Sequence, residues 1–192
     1  GTVRPVVSAD LHLAVELEDP KNAGLSDDQL FGNDAPRGPV IVGQHQITGK
    51  ETAPLTSPIR RLYLSREIEE YKPAWVSLRD KVRELIRRAE LIVFPMGSFY
   101  SSVLATLMPD GVGEEIAANP APKIYIPNTG TDPEQLGLTV DREVELLNRT
   151  LRLSGATRDN VIDFVLVDSK HGRYERALSR DRISELGSRV ID

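Results

Sequence analysis

The stretch LIVFPMGSFYSSVLATLMPDGV, residues 91–112, passes from a continuous apolar burst through a small polar turn into a second apolar stretch that ends at Pro109. LIVFP is the pattern of a short strand buried on both faces. The segment from about Phe99 to Pro109 is long enough for a helix, which Pro109 terminates because proline cannot continue the hydrogen-bond ladder. Between them lie Gly97, Ser98, Ser101 and Ser102. A strand that hands over to a helix through glycine and serine is the unit from which parallel α/β sheets are built.

The same rhythm continues on both sides. Upstream, Trp75, Leu78, Val82, Leu85, Ile86 and Ala89 recur at helical spacing and predict an amphipathic helix with these residues on its packed face. Downstream, a shorter helix is expected at about 112–118, a buried strand at KIYIPN (123–128), and a helix through LTVDREVELLNRTL with Val140, Val144, Leu147 and Leu151 on one stripe. VIDFVLVD (161–168) reads as a third buried strand, and a helical piece at about 174–186 leads to RVI. Strands alternating with helices imply βαβ units and a mostly parallel, Rossmann-like sheet.

Residues 1–65 differ. LHLAVELED (11–19) alternates, which predicts a half-exposed strand with Leu11, Leu13, Val15 and Leu17 inward. PVIVGQHQITG (39–49) and IRRLYL (59–64) are further strands, separated by loops rich in Pro, Gly, Asn and Asp. With no helix between them, an antiparallel meander is expected over 1–65, joined to an α/β portion over 66–192.

Composition limits the chemistry. The chain has 192 residues, is 40% hydrophobic and carries a formal net charge of -5. Mild acidity without a clustered basic face argues against nucleic-acid binding, and RELIRR (83–88) reads as a solvated helix face. No apolar run approaches the ~20 residues that span a bilayer, no stretch resembles a secretory leader, and a cytoplasmic protein is expected. Cys is absent, which removes disulfides, thiolate catalysis and zinc-thiolate sites. His12, His45 and His171 are too scattered to suggest a metal cluster, and neither a Gly-x-Ser-x-Gly elbow nor a Gly-x-x-x-x-Gly-Lys loop occurs.

In open α/β sheets ligands gather at the carboxyl ends of the strands. Two turns qualify. At the first, Gly97 allows close backbone approach, while the hydroxyls of Ser98, Ser101 and Ser102 and the amides of the helix's first turn can donate to an anion such as phosphate. The alternative is that Gly97 only turns the chain and Ser98 only caps the helix. The second turn is PNTGTDPEQLG (127–137), where Asn128, Thr129 and Thr131 offer polar groups and Gly130 frees the backbone. Asp132 and Glu134 could hold Mg²⁺ beside a phosphate, or could be ordinary loop residues. Lys170 or Arg173 in SKHGRYER (169–176) could meet an anion.

Together the two turns resemble the CofD-like family, which comprises 2-phospho-L-lactate transferases and YvcK-type gluconeogenesis factors. In the second branch the pattern reads approximately Gly-Pro-Gly-Ser-Leu-Tyr-Thr-Ser, then a strand ending in Asn before Thr-x-Pro-Gly-Glu. Gly97, Ser98, Tyr100, Ser102, Asn128, Thr131 and Pro133 match it, with Ser101 in place of threonine. VRPVVSADLHLAVELED also looks like the family's upstream segment. The chain departs from that branch at Pro95-Met96 and at Arg142-Glu143, where the branch has Gly-Pro and an Asp-His pair.

The resemblance implies a domain that binds a nucleotide diphosphate or a UDP-sugar, with Mg²⁺ assisting in the transferase branch. It implies that Tyr100 stacks on or hydrogen-bonds the ligand, that Gly97, Ser98 and Ser102 face phosphate or sugar hydroxyls, and that Asn128 fixes orientation. A homodimer or larger oligomer is in keeping with it. GSFYSS and PNTGTDP follow the YvcK-type branch more closely, which favours a nucleotide-binding regulatory protein over a Mg²⁺-dependent phospholactyl transferase. A degenerate pocket serving protein interaction is the third expectation. Because relatives begin with a strand and a Gly-Gly-(Gly/Thr)-Gly turn that is absent here, the chain is expected to be the C-terminal portion of a longer protein.

Overall fold

The computed structural model describes residues 11–18, 40–42, 55–68, 72, 74–174 and 177–192. They fall into two compact units, Gly1–Val76 with Pro133–Leu136, and Ser77–Asp132 with Gly137–Asp192.

In the first unit, β1 (His12–Leu17), β2 (Val40–Val42) and β3 (Ile59–Ser65) form an antiparallel sheet in the order β2-β1-β3. The strands are antiparallel as expected, but they are not a meander, because β1 lies in the centre. Nor is β1 half-exposed. Leu13 through Leu17 are all buried, Glu16 included. Glu16 is accommodated by partners: the Tyr63 hydroxyl donates to its carboxylate at 2.8 Å, and Arg61 Nη1 donates to the Tyr63 oxygen at 3.3 Å. Burial, opposed by Arg61 and reinforced by Glu16, pushes the Tyr63 hydroxyl up to about 12. A charged residue on a fully buried strand survives through such pairing, and its letter code reads as an exposed face. The loop expected over 20–38, His45 and most of PVIVGQHQITG lie outside the described residues.

The second unit is the parallel α/β fold. Its order is α1 (Asp80–Arg87), β4 (Ile92–Phe94), a π-helical segment Phe99–Leu104 running into α2 (Ala105–Leu107), α3 (Val112–Ala118), β5 (Lys123–Tyr125), α4 (Val140–Leu153), β6 (Phe164–Leu166), α5 (Arg180–Glu185) and β7 (Arg189–Ile191). The four strands pair in parallel in the order β4-β5-β6-β7, with Ile92 opposite Lys123, Ile124 opposite Phe164 and Phe164 opposite Arg189. The stripe expected on α4 is its packed face: Val144, Leu147 and Leu151 have no exposed surface, and Val140 is buried. Each such side chain contributes about 1.5–3 kcal/mol by leaving water. Beneath Phe94 and Tyr125 lie Phe99, Val103, Leu104 and Leu107, all buried.

α3 crosses α4 at Gly113, where a Cβ would stand 1.8 Å from the Leu151 carbonyl oxygen. The Gly113 amide donates to the Ser154 carbonyl and hydroxyl, each at 3.1 Å. The crossing is tight because no side chain intervenes.

Two expectations fail here. The helix read from Trp75 onward is only Asp80–Arg87; before it the chain is extended, with the Leu78 amide donating to the Asp110 carbonyl at 2.9 Å. Its apolar stripe is not its packed face, since Val82 and Leu85 are 42% and 63% exposed and no residue of α1 is buried. The helix is held instead through Arg83 and Arg87, which stay partly exposed and reach across to a carboxylate. Glu115 on α3 accepts from Arg83 and, at 2.6 and 2.9 Å, from Arg87, which holds its carboxyl below the usual range. One forked guanidinium contact from Arg87 and a single one from Arg83 on one buried carboxylate outweighed the apolar stripe. LIVFP, for its part, is not buried on both faces: β4 is an edge strand, with Val93 40% exposed and only Phe94 buried.

No helix among the described residues is long and apolar enough to cross a membrane.

Candidate functional site

Parallel pairing brings the carboxyl ends of β4, β5 and β6 to one edge of the second unit, and the loops that leave them are fastened together by polar contacts. Past the last paired residues, the Ile126 amide donates to the Phe94 carbonyl at 2.9 Å, prolonging the ladder by one step. Asn128 then takes over with its side chain. Its Oδ1 accepts from the Gly97 amide at 3.1 Å and its Nδ2 donates to the Gly97 carbonyl at 2.9 Å. A primary amide offers one acceptor and two donors in one plane, so it can copy the two-point pairing of a neighbouring strand. This locks the first turn to the second.

Asp132 completes the junction. Its Oδ2 accepts from the Phe99 amide at 3.0 Å and from Asn128 Nδ2 at 3.2 Å. Ser98 occupies the position before the helical segment but makes no side-chain cap, so the carboxylate from the neighbouring loop does the capping that the sequence suggested for serine. The Ser98 carbonyl accepts from the amides of Ser102 at 2.9 Å and Val103 at 3.2 Å, the wide spacing of a π-helical start. The third loop is joined through the Arg173 amide, which donates to the Thr129 carbonyl at 2.9 Å.

The expected site residues therefore separate into two groups. Gly97, Ser98, Ser102, Asn128 and Thr131 lie at the junction with accessible surface, Ser102 and Thr131 being exposed. Tyr100 and Ser101 turn into the interior, Tyr100 with its ring edge-on to Phe99 at 5.3 Å between centroids. Asn128 is turned onto the Gly97 backbone and orients the loop. Gly97 is not demanded by packing, because a Cβ there would meet only the Ser102 Cβ at an ordinary 3.6 Å. The exposed Lys170 and Arg173 are carried to the same edge by the loop after β6. Asp168 orders that loop by accepting from the amides of His171 and Lys170 at 2.9 and 3.0 Å, and the His171 bond above all keeps its carboxyl low.

Sequence reading missed a buried acid beside the junction. Glu143, in the first turn of α4, accepts at 2.8 Å from the hydroxyl of Tyr125 at the end of β5. Burial raises its pKa to about 7; the Tyr125 hydrogen bond pulls it down, and the charges of Asp132 and Asp141 push it further up. The Tyr125 hydroxyl is raised well above its ordinary value, first by burial and then by Glu143. The helical stripe through Val140 and Val144 placed residue 143 beside the packed face, which was the available signal.

The carboxylates do not by themselves fit a divalent cation. Asp132 Oδ2 already accepts two hydrogen bonds, Glu134 is buried in the first unit, and no group of three His, Cys, Asp or Glu among the described residues is arranged to hold a metal.

Comparison with known proteins shows the family and the fold. The profile described as 2-phospho-L-lactate transferase CofD matches residues 1–191. The gluconeogenesis factor of Bacillus subtilis is 32% identical over 171 residues, covering 88% of this chain and 43% of that protein. A putative gluconeogenesis factor of Thermoanaerobacterium thermosulfurigenes is 32% identical over 186 residues, covering 96% of this chain and 46% of its own length. A crystal structure of a UPF0052 family member from Bacillus halodurans superposes with a TM-score of 0.63 at 22% identity, over 94% of this chain and 51% of that one, a likeness of fold. The chain thus spans about half the length of the relatives it matches. With a family match running nearly from end to end and the same α/β architecture in a solved relative, the chain belongs to the CofD family.

Proposed function

We propose that the chain binds a nucleotide or nucleotide sugar at the carboxyl edge of its parallel sheet, as a regulatory member of the family akin to the gluconeogenesis factors. The observation that carries this reading is the two-point lock of Asn128 on Gly97, which joins the β4 and β5 loops where α/β sheets take their ligands. The lock takes up both polar backbone atoms of Gly97 and so fixes the shape of the two loops, and the cost of ordering them is met in the fold before any ligand arrives. Gly97 leaves room for that approach, Ser98 and Ser102 supply hydroxyls, and Lys170 and Arg173 supply charge at the same edge. The relatives quoted above carry the gluconeogenesis-factor name, which favours the regulatory branch.

Isothermal titration of the protein with UDP-sugars and guanosine nucleotides, with and without Mg²⁺, tests the reading. Saturable heat with one of these classes is expected. Absence of heat with all of them would overturn it, and turnover of a phospholactyl donor would replace regulation by transfer.

A further inference from the structure

A groove of about 280 Å³ runs along β4 and reaches past its carboxyl end to Met96, Gly97 and Ser102. It is therefore part of the edge at which a ligand is proposed to bind, but its chemistry differs from the rest of that edge. Val103, Leu107 and Ile116 line it and belong to the buried core, so packing fixes its floor. No charged side chain among the described residues lines it. Two hydroxyls do. That of Thr106 donates to the Val103 carbonyl at 2.8 Å, and that of Ser102 stands beside Gly97, whose added Cβ would meet the Ser102 Cβ at 3.6 Å.

Met96 forms the rim. Its side chain is 56% exposed, and its sulfur lies 4.0 Å from the Thr129 hydroxyl of the β5 loop. The Thr129 carbonyl in turn accepts from the Arg173 amide at 2.9 Å, which joins on the loop that carries Lys170 and Arg173. Neither of those cations lines the groove. The edge is thus divided, with an uncharged apolar slot on one side of the Met96–Thr129 contact and a basic loop on the other.

That division sorts the parts of a nucleotide. The groove is smaller than the roughly 300–1,000 Å³ of pockets that enclose a whole ligand, so it takes one part only. A diphosphate there would lose its hydration with no cation to replace it. A sugar would bury several hydroxyls with the Ser102 side chain as the nearest partner. A flat heteroaromatic ring has apolar faces to bury, and a flexible, polarisable thioether packs favourably against an aromatic ring.

We propose that the groove beside Gly97 holds the heteroaromatic base of the ligand against the Met96 thioether, which makes Met96 a specificity-determining residue that selects base-bearing phosphates over inorganic diphosphate and simple sugar phosphates. The phosphates then face the loop of Lys170 and Arg173. This inference rests on the nucleotide reading given above and adds to it which end of the ligand lies where.

The chain has two methionines, Met96 and Met108, so the protein labelled with ¹³C at the methionine methyls gives two signals, and the one lost in Met96→Leu identifies Met96. UDP, GDP and inorganic pyrophosphate are titrated in parallel by calorimetry and by this spectrum. Saturable heat with a nucleotide is expected together with an upfield, ring-current shift of the Met96 methyl, while pyrophosphate leaves that signal in place. Met96→Ala is expected to weaken the nucleotide at least fivefold. Nucleotide heat with an unmoved Met96 signal, the same shift with pyrophosphate, or equal nucleotide affinity in Met96→Ala would overturn the inference and leave the nucleotide reading standing. No heat from either nucleotide, with the Met96 signal unmoved, would overturn both. The spectrum of the unmodified chain decides even if a Met96 variant fails to fold.

Discussion

Replacing Glu143 by Gln should remove a pH dependence of stability whose size follows from the site. Glu143 is 4% exposed, touches the Tyr125 hydroxyl at 2.8 Å, and has its pKa raised from 4.5 to about 7. The folded state therefore holds this proton more tightly than the unfolded chain does. Its contribution to stability is fully present below pH 4.5 and is lost as pH rises through 7, because ionising the buried carboxylate costs the folded state only. A rise of roughly 2.5 units at 1.36 kcal/mol per unit corresponds to about 3 kcal/mol. The carboxyls held low by partners, Glu115, Asp168 and Asp192, act in the opposite sense and only below the ordinary carboxylate range, so they leave the window from pH 5 to 8 clear. Denaturant unfolding at pH 5, 6, 7 and 8 should show the parent losing most of that 3 kcal/mol, while Glu143→Gln, which keeps an oxygen and the side-chain shape, stays flat. Parallel curves for the two proteins would refute the argument that Glu143 is buried and protonated near neutrality.

Other substitutions probe the frame. Gly113→Ala drives a methyl into the Leu151 carbonyl, a backbone atom that cannot swing aside, and should cost at least about 3 kcal/mol in chemical unfolding. Asn128→Asp keeps the acceptor for the Gly97 amide but loses both donations and sets a second charge beside Asp132; a loss of about 2–3 kcal/mol is expected, with faster exchange at Gly97. Glu115→Gln should lower the melting temperature at pH 7 by loosening α1 from α3. Because the Glu115 carboxyl is held low by Arg87 and Arg83, the difference from the parent should shrink as pH falls through that depressed range.

The parallel sheet was legible because Val140, Val144, Leu147 and Leu151 obey helical spacing and KIYIPN and VIDFVLVD are continuous apolar runs; local pattern and tertiary packing agree there. Where they disagreed, the sequence misled. α1 has a good apolar stripe, yet it is Arg83 and Arg87 that tie the helix down, because Glu115 waits on α3, a partner 28 residues from Arg87 that periodicity cannot reveal. LIVFP reads as interior since its composition suits burial, while its edge position depends on which strands are present to pair with it. Glu16 reads as solvent-facing because the letter does not show Tyr63 and Arg61 closing over it. At the candidate site both turns were visible as Gly-Ser and Asn-Thr clusters. Their connection was not, since Asn128 grips Gly97 and Asp132 caps Phe99 across more than thirty residues.

Most central is the proposal that the locked β4 and β5 loops bind a nucleotide ligand against the space left by the missing side chain at Gly97. Calorimetric titration of the protein and of Gly97→Ala with UDP-sugars and guanosine nucleotides tests it most directly, since the added methyl meets only Ser102 and the variant should melt like the parent. Saturable binding by the parent, weakened at least tenfold in the variant, is the predicted result. Equal binding by both, or no heat from either, would contradict it.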